Sequence, residues 1–375
     1  VLDSWSRQVT MKFSLSREAL LNPLQLVVGV VERRQTLPIL SNVLLSLQGT
    51  RLSLTGTDLE VEIVGSTEAA SADEGGEVTV SARKFLDICR SLPEGAMVDF
   101  SSSDGKAQLK SGRSKFTLAT LPANEFPSVD EGEKTIEFGV QASILKGLIE
   151  ATSFAMAQQD VRYYLNGMLW EVSANKLRAV ATDGHRMALC DGECDVQVDG
   201  TITAILPRKG IMELSRLLGD EEVQLSMGAN HIRITGTDYC FTSKLVDGAY
   251  PDYDRVLPKG GDKMVVGDRA ELKQAFGRTA ILSNEKYRGV RILLSNGAIK
   301  MVANNPEQEE AEEEVTVNYA GDDLEIGFNV SYLLDVLNVL KGSEIKFTLS
   351  DSNSSALVED AANNSAVYVV MPMRL

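Results

Sequence analysis

The stretch Asn42 to Asp58, NVLLSLQGTRLSLTGTD, reads as a strand-like pair closing on a polar turn, and it returns twice further along the chain. The second copy is Asn166 to Asp183, NGMLWEVSANKLRAVATD, and the third is Gly289 to Asn305, GVRILLSNGAIKMVANN. Asp58 and Asp183 are 125 residues apart, and Asp183 and Asn305 are 122 apart. A second echo keeps the same period, where an extended segment ends in proline at Glu125-Phe126-Pro127, Ala249-Tyr250-Pro251 and Val370-Met371-Pro372. A solenoid rung is far shorter and cannot bury a core alone, so these copies are domains of the commonest size.

Two helical patterns fall in each copy. Apolar residues recur at i, i+3, i+4 and i+7 over Glu18 to Val31, Ser143 to Met156 and Arg269 to Leu282, as in Leu145, Leu148, Ile149 and Thr152. The second set is Arg83 to Leu92, Arg208 to Leu218 and Ser331 to Leu340, with Ser81, Pro207 and Ser331 as start signals. Nearly everything else alternates with period two and breaks at dipeptides such as Asp104-Gly105 and Asn296-Gly297, whose residues tolerate positive φ. The expectation is an α+β chain of three repeated domains, each with two helices packed on antiparallel sheet. The boundaries are 11–135, 136–262 and 263–375, and Val1 to Thr10 is an extension outside the fold, before Met11-Lys12-Phe13.

At 375 residues the chain has enough length for three cores. It has no apolar run long enough to span a bilayer and no secretory leader, so a soluble, non-secreted protein is expected, without membrane partners. Four cysteines, Cys89, Cys190, Cys194 and Cys240, form no paired framework and fit a reducing cytoplasm.

Catalytic equipment is sparse. The two histidines are His185 and His231. His185, Cys190 and Cys194 offer soft ligands but lack the paired spacing and fourth ligand of a structural zinc site, so buried thiols are the favoured reading and no metal is assigned. Phosphate-cradling glycine motifs and the nucleophile-elbow motif are missing, so no cofactor and no catalytic residue is assigned. Asp183-Gly184-His185-Arg186 is the densest polar cluster, yet it falls where the other copies have Thr57-Asp58-Leu59-Glu60 and Asn304-Asn305-Pro306-Glu307. A repeated turn explains it, while its divergence from its siblings still matters, because a duplicated scaffold usually gains a site by altering loops in one repeat.

The net charge of −16 taken alone argues against a polyanion partner. Its distribution argues otherwise. Arg83, Lys84 and Arg90, then Arg208, Lys209 and Arg216, then Arg269, Lys273 and Arg278 place base on helices, whereas acid gathers in strands and loops, above all Glu307 to Glu314. Solvated helix faces are the plain alternative. With no base-reading motif present, any nucleic-acid contact would be to phosphates and indifferent to sequence.

Several stretches together resemble the bacterial DNA polymerase III beta subunit family of ring-shaped sliding clamps. They are Thr36-Leu37-Pro38-Ile39-Leu40, Thr55 to Glu60 (TGTDLE), Asp160 to Met168 (DVRYYLNGM), Ala181 to Arg186 (ATDGHR), Ser283 to Val290 (SNEKYRGV), Asn304 to Glu313 (NNPEQEEAEE) and Tyr368 to Leu375 (YVVMPMRL). The resemblance covers Met11 to Leu375 and implies three DNA-clamp domains per protomer, closed into a ring by a head-to-tail homodimer with helices lining the hole. It implies a non-enzymatic processivity factor that encircles duplex DNA and tethers the replicative polymerase catalytic subunit. A clamp loader spending ATP would open it, and other polymerases and repair proteins would compete through short clamp-binding peptides in the cytoplasm, at the nucleoid.

The resemblance also implies residue roles. For the peptide pocket they fall on Leu165, Thr182, Gly184, His185, Arg186, Met187, Pro251, Arg255, Val256, Tyr332, Ser355, Val369, Val370, Met371, Pro372, Met373 and Arg374, an adaptable apolar groove with a few polar anchors. Met187 replaces the leucine that relatives often have. For DNA they fall on Arg34, Arg83, Gln159, Tyr163 and Tyr164, with Arg208 and Lys209 as further bore charges; Tyr163 and Tyr164 also read as core residues at a strand start. For the dimer, Phe116 and Leu118 would pack on Ile281 and Leu282, with Lys84, Arg113 and Lys115 facing Glu307, Glu309 and Glu310. Two rivals remain open at this point: a thiol hydrolase built on Asp183, His185 and Cys190, and an acidic scaffold that never touches DNA.

Overall fold

A computed structural model describes residues 11–32, 37–129 and 132–374. The order of elements repeats. The first copy runs β1 (Met11–Ser16), α1 (Arg17–Val28), β2 (Asn42–Gln48), β3 (Arg51–Thr57), β4 (Val61–Glu68), β5 (Ser71–Glu74), β6 (Gly76–Ser81), α2 (Ala82–Ser91), β7 (Met97–Ser103), β8 (Lys106–Ser111) and β9 (Ser114–Leu121). The second runs β10 (Lys134–Gln141), α3 (Ala142–Thr152), β11 (Gly167–Ser173), β12 (Lys176–Thr182), β13 (Arg186–Glu193), β14 (Ile202–Pro207), α4 (Arg208–Leu217), β15 (Glu222–Gly228), β16 (His231–Thr235) and β17 (Tyr239–Lys244). The third runs β18 (Lys263–Asp268), α5 (Arg269–Thr279), β19 (Gly289–Ser295), β20 (Ala298–Asn304), β21 (Glu310–Thr316), β22 (Leu324–Asn329), α6 (Val330–Val339), β23 (Glu344–Leu349), β24 (Ala356–Asp360) and β25 (Ala366–Val370). Among the described residues only β5 lacks counterparts. The extension read at Val1 to Thr10 lies outside the described residues.

The chain forms two compact units, and both draw on the middle copy. One comprises the described residues of 11–142 with Met212–Leu245, the other Ser143–Ile211 with the described residues of 246–375. In the first unit a 13-stranded antiparallel sheet runs β10-β15-β16-β17-β4-β3-β2-β6-β9-β8-β7-β1-β5. There β17 of the middle copy pairs with β4 of the first, Phe241 opposite Ile63. In the second unit an eight-stranded sheet runs β14-β11-β12-β13-β25-β24-β23-β18, beside a four-stranded sheet β21-β20-β19-β22. Here β13 of the middle copy pairs with β25 of the third, Ala188 opposite Tyr368.

Local chemistry repeats as well. The Ser16 hydroxyl accepts from Ala19 N at 3.2 Å to start α1, and the Asp268 carboxylate accepts from Glu271 N at 2.8 Å to start α5. The first residue of each of those helices caps another helix's end: Arg17 Nε donates to Cys89 O at 3.0 Å, Arg269 Nε to Gly342 O at 2.8 Å and Arg269 Nη1 to Leu337 O at 3.2 Å. The cations satisfy orphan carbonyls at the negative ends of α2 and α6. For α6 the cap is Asn329, whose side chain accepts from Ser331 N at 2.9 Å, rather than Ser331 itself, whose hydroxyl instead receives Arg288 Nε. Asp104 and Gly105 both take positive φ, as their hairpin requires, but at Asn296-Gly297 only Gly297 does, at 77°.

Burial follows the pattern. In the first unit Phe13 stacks on Phe100 at 4.8 Å, and α1 lies so close to β4 that a Cβ on Gly65 would come within 2.9 Å of Pro23 Cβ. In the second, Leu145, Leu148, Ile149 and Thr152 bury one face of α3, and Trp170 is fully buried with Nε1 directed at Met168 Sδ, 3.2 Å away. Each such large apolar side chain contributes about 1.5–3 kcal/mol. Among the described residues no helix is long and apolar enough to cross a membrane. The basic excess is confined to α2, α4 and α5; α3 balances Lys146 with Glu150, and α6 carries Asp335 without any base.

Candidate functional site

The turn joining β12 to β13 is the same turn that joins β3 to β4. In the first copy Asp58 Oδ1 accepts from Glu60 N at 2.9 Å and Val61 N at 2.7 Å, and Thr57 Oγ1 donates to Val61 O at 2.9 Å. In the second, Asp183 Oδ1 accepts from His185 N at 2.9 Å and Arg186 N at 3.0 Å, and Thr182 Oγ1 donates to Arg186 O at 2.7 Å. The carboxylate's fixed task is therefore to fold the turn. The side chain that begins the next strand differs: Val61 is fully buried, whereas Arg186 carries a guanidinium.

Beyond the turn, pleating sends neighbours to opposite faces of β13 and β25. Met187 opposes Val369, and both join a buried cluster with Leu169, Val180, Leu189, Ile205 and Tyr253. Tyr164, Tyr250, Val256, Leu257 and Leu357 pack against it, half-buried. Tyr250 fixes this side to the turn, its hydroxyl accepting from Thr182 N at 3.1 Å, and burial raises its pKa so that it stays a neutral phenol. Arg255, Val256, Ser354 and Ser355 line a cavity of about 470 Å³ that continues from the cluster. The chain end closes over the turn: Met371 N donates to His185 O at 3.0 Å and Met373 N to Gly327 O at 2.8 Å. The His185 ring lies parallel to Tyr332, centroids 6.3 Å apart.

The structure thus brings Thr182, His185, Arg186, Met187, Val256, Tyr332, Val369, Val370 and Met371 into one neighbourhood of the second unit. Gly184, at φ 87°, faces the Arg162 guanidinium. Leu165 is buried in the 163–166 turn, and Pro251, Arg255 and Arg374 are exposed, with Pro372 half-buried. Sequence reasoning missed Phe154, Arg162, Tyr250 and Asp335. Arg162 grips Asp160, Nε to Oδ1 at 3.0 Å and Nη2 to Oδ2 at 2.8 Å, and these bonds hold that carboxylate down at about 2.

The residues expected at DNA are dispersed. Arg34 lies outside the described residues. In the first unit exposed Arg83 shares a groove of about 660 Å³ with Arg90 and Arg216. In the second, Gln159 is exposed at φ 56°, and Tyr163, 57 % exposed and edge-on to Tyr164 at 5.8 Å, is no core residue. Arg208 Nη1 donates to Met156 O at 3.4 Å, and Lys209 is half-buried.

Among the described residues, two strands lack the partner that their counterparts in the other copies have. In the first unit β9 pairs with β8 throughout but with β6 only at Thr120 and Leu121, leaving Ser114 to Ala119 bare on one side. Lys115 and Arg113 are exposed there, Lys84 is exposed on α2, Phe116 is half-buried, and Leu118 is mostly committed to its own sheet. In the second unit β21 is the outer strand of its sheet. Its acids are partly engaged, Glu313 with Arg278 Nε at 2.5 Å and Glu312 with Lys300 at 2.7 Å, while Glu307, Glu309 and Glu310 are exposed. Ile281 is 75 % exposed and Leu282 half-buried.

Thiol chemistry finds no support. Burial pushes Cys190 up to about 11, leaving negligible thiolate at neutral pH. Among the described residues no three His, Cys, Asp or Glu side chains are grouped to hold a metal.

Three family descriptions match in sequence order: the DNA polymerase III beta subunit N-terminal domain over residues 11–130, its central domain over 139–252 and its C-terminal domain over 254–374. The beta sliding clamp of Pseudomonas putida is 62 % identical over 97 % of this chain and 100 % of its own length, and that of Escherichia coli K12 is 54 % identical over the same shares. Among solved structures, the Pseudomonas aeruginosa sliding clamp bound to griselimycin superposes with TM-score 0.96 at 62 % identity, covering 97 % of this chain and 100 % of that one. A Bartonella birtlesii clamp, also bound to griselimycin, gives 0.94 at 39 % identity, covering 98 % and 100 %.

Proposed function

This chain belongs to the DNA polymerase III beta subunit family, and from that premise we propose that it is a processivity clamp whose protomers close head to tail around duplex DNA. The carrying observation is the joint used twice within the chain. The strand after the repeated turn in one copy pairs with the last strand of the next copy, β4 with β17 and β13 with β25. The third copy's equivalent, β21, and the first copy's last strand, β9, lack that partner among the described residues. A second copy of the chain completes the series by the same antiparallel pairing, and an identical joint at the other end closes it.

The register follows by equivalence. Hairpin partners Thr57↔Glu62, Thr182↔Met187 and Asn304↔Glu310 align the three turn strands, and Phe116, Phe241 and Tyr368 align the last strands. Ala311 then lies opposite Phe116 and Glu312 opposite Lys115. Ile281 and Leu282 cover the apolar side of this joint, and Lys84 and Arg113 meet the remaining acids. The domain boundaries stay at 11–135, 136–262 and 263–375.

The apolar groove on β13 and β25 receives short peptide segments of the polymerase and of competing repair proteins, and griselimycin occupies the same groove. Its walls are Met, Val, Leu and Tyr, side chains that adapt to more than one sequence. The chain performs no catalysis. Threading keeps the polymerase at high effective concentration without a tight grip on DNA, so the bore cations, Arg83 among them, make only salt-sensitive phosphate contacts. Loading falls to an ATP-driven partner, and the setting is the bacterial cytoplasm.

The test is loader-dependent retention on nicked circular DNA in high salt, followed by linearisation with a restriction enzyme. Retention that survives salt and vanishes on cutting is expected. Retention abolished by salt alone would overturn the ring.

A further inference from the structure

We propose that Asp335, acting through Arg186, is a positioning residue for the groove; the inference rests on reading that groove as the peptide site. Arg186 stands where the first copy has a buried valine, and alternation along β13 turns its side chain to the face opposite Met187. Its guanidinium donates from Nε to Asp183 Oδ2 at 3.0 Å, from Nη2 to Phe154 O at 3.0 Å, and from Nη1 to Asp335 Oδ2 in a short ion pair. It also lies between two rings, 4.5 Å from the Tyr332 centroid and 5.3 Å from that of Phe154. The side chain is 12 % exposed.

These partners come from two sources. Asp183 and Phe154 belong to the middle copy, whereas Tyr332 and Asp335 sit three apart on one face of α6 in the third. Asp335 is the one anion on that helix, so it is the charge that draws α6 against the 183–186 turn. Tyr332 is then held parallel to His185, whose carbonyl in turn receives Met371 N. Arg186 shapes the groove without pointing into it. Losing Asp335 would release Tyr332 and His185 together and leave a groove that is competent for only part of the time, which lowers apparent affinity in proportion.

The experiment uses full-length Asp335→Ala, Asp335→Asn, Arg186→Met and the Asp335→Ala/Arg186→Met double variant, with griselimycin as the probe. Asp335→Ala should weaken binding by about 2- to 30-fold, Asp335→Asn by less because its carbonyl still accepts a bond. In the double variant Asp335→Ala should add nothing to Arg186→Met. A spectroscopic readout accompanies this. The chain has two histidines, so a ¹³C-histidine spectrum separates His185 from His231; the His185 signal should move toward that of a free imidazole in Asp335→Ala while the His231 signal stays. Unchanged affinity with an unmoved His185 signal overturns the proposal, as does full additivity in the double variant. If the unaltered protein fails to bind griselimycin, the reading of the groove as griselimycin's site fails, and the His185 signal decides the positioning role by itself.

Discussion

Leu59 and Gly184 occupy the same position of the same turn, at φ of 80° and 87°. The left-handed region is open to glycine and costs a leucine about 1–2 kcal/mol. One copy of the turn is therefore strained and the other relaxed, although their hydrogen bonds match.

Replacing Leu59 by Gly should raise the unfolding free energy, read from the urea midpoint, by about 0.5–1 kcal/mol once glycine's greater unfolded-state freedom is subtracted. Gly184→Ala should lower it by about 1–2 kcal/mol, since its Cβ would also sit 3.0 Å from Arg162 Nη2. A lower midpoint for Leu59→Gly would show that the turn is not strained.

Ile281 is the most exposed aliphatic residue beside the open β21 edge's helix, at 75 %. Ile281→Ala with Leu282→Ala should halve the mass seen by light scattering while leaving the circular dichroism spectrum intact. A persistent dimer would move the interface elsewhere.

Val256 packs half-buried against the apolar cluster under the groove. Val256→Asp places a charge where a ligand would desolvate it, and should weaken griselimycin binding tenfold or more, about 1.4 kcal/mol. Equal affinity, measured by calorimetry, would remove Val256 from the groove.

The Asp160 carboxyl is held at about 2, against 3.8 for the free side chain, chiefly by the Arg162 side chain and then by its backbone N–H. Because the folded value is the lower one, its contribution to stability is complete above about pH 4 and disappears as pH falls toward 2. A carbon-detected titration of Asp160 should show a midpoint near 2, and Arg162→Met should return it toward 3.8. A midpoint near 3.8 in the unaltered protein would break the assigned pair.

Local signals carried most of the fold into the sequence. Helix periodicity, the hairpins and the repeated Thr-Asp turn depend on contacts within a few residues, and these recur three times. Finer choices went to competitors: Asn329 took the cap from Ser331, and Asn296 kept a negative φ because Gly297 alone could make its turn. At the site, Asp183 to Arg186 were legible as the divergent turn, while Met187 came only from the family resemblance. Asp335 was not, because it meets Arg186 across 149 residues and nothing near it in sequence marks that partnership. Nor does any local pattern announce that the middle copy's strands are shared between two sheets.

That sharing has an evolutionary side. Within the chain, the second and third copies each lend their last strand to the copy before them, so a polypeptide of any number of copies leaves the first copy's last strand and the last copy's turn strand without that partner. Gene duplication or fission could change how many copies are fused in one chain without inventing a new contact. A chain cut after residue 135, by contrast, would expose β4 as well as β9, and would find its matches in other truncated chains as polymers or aggregates.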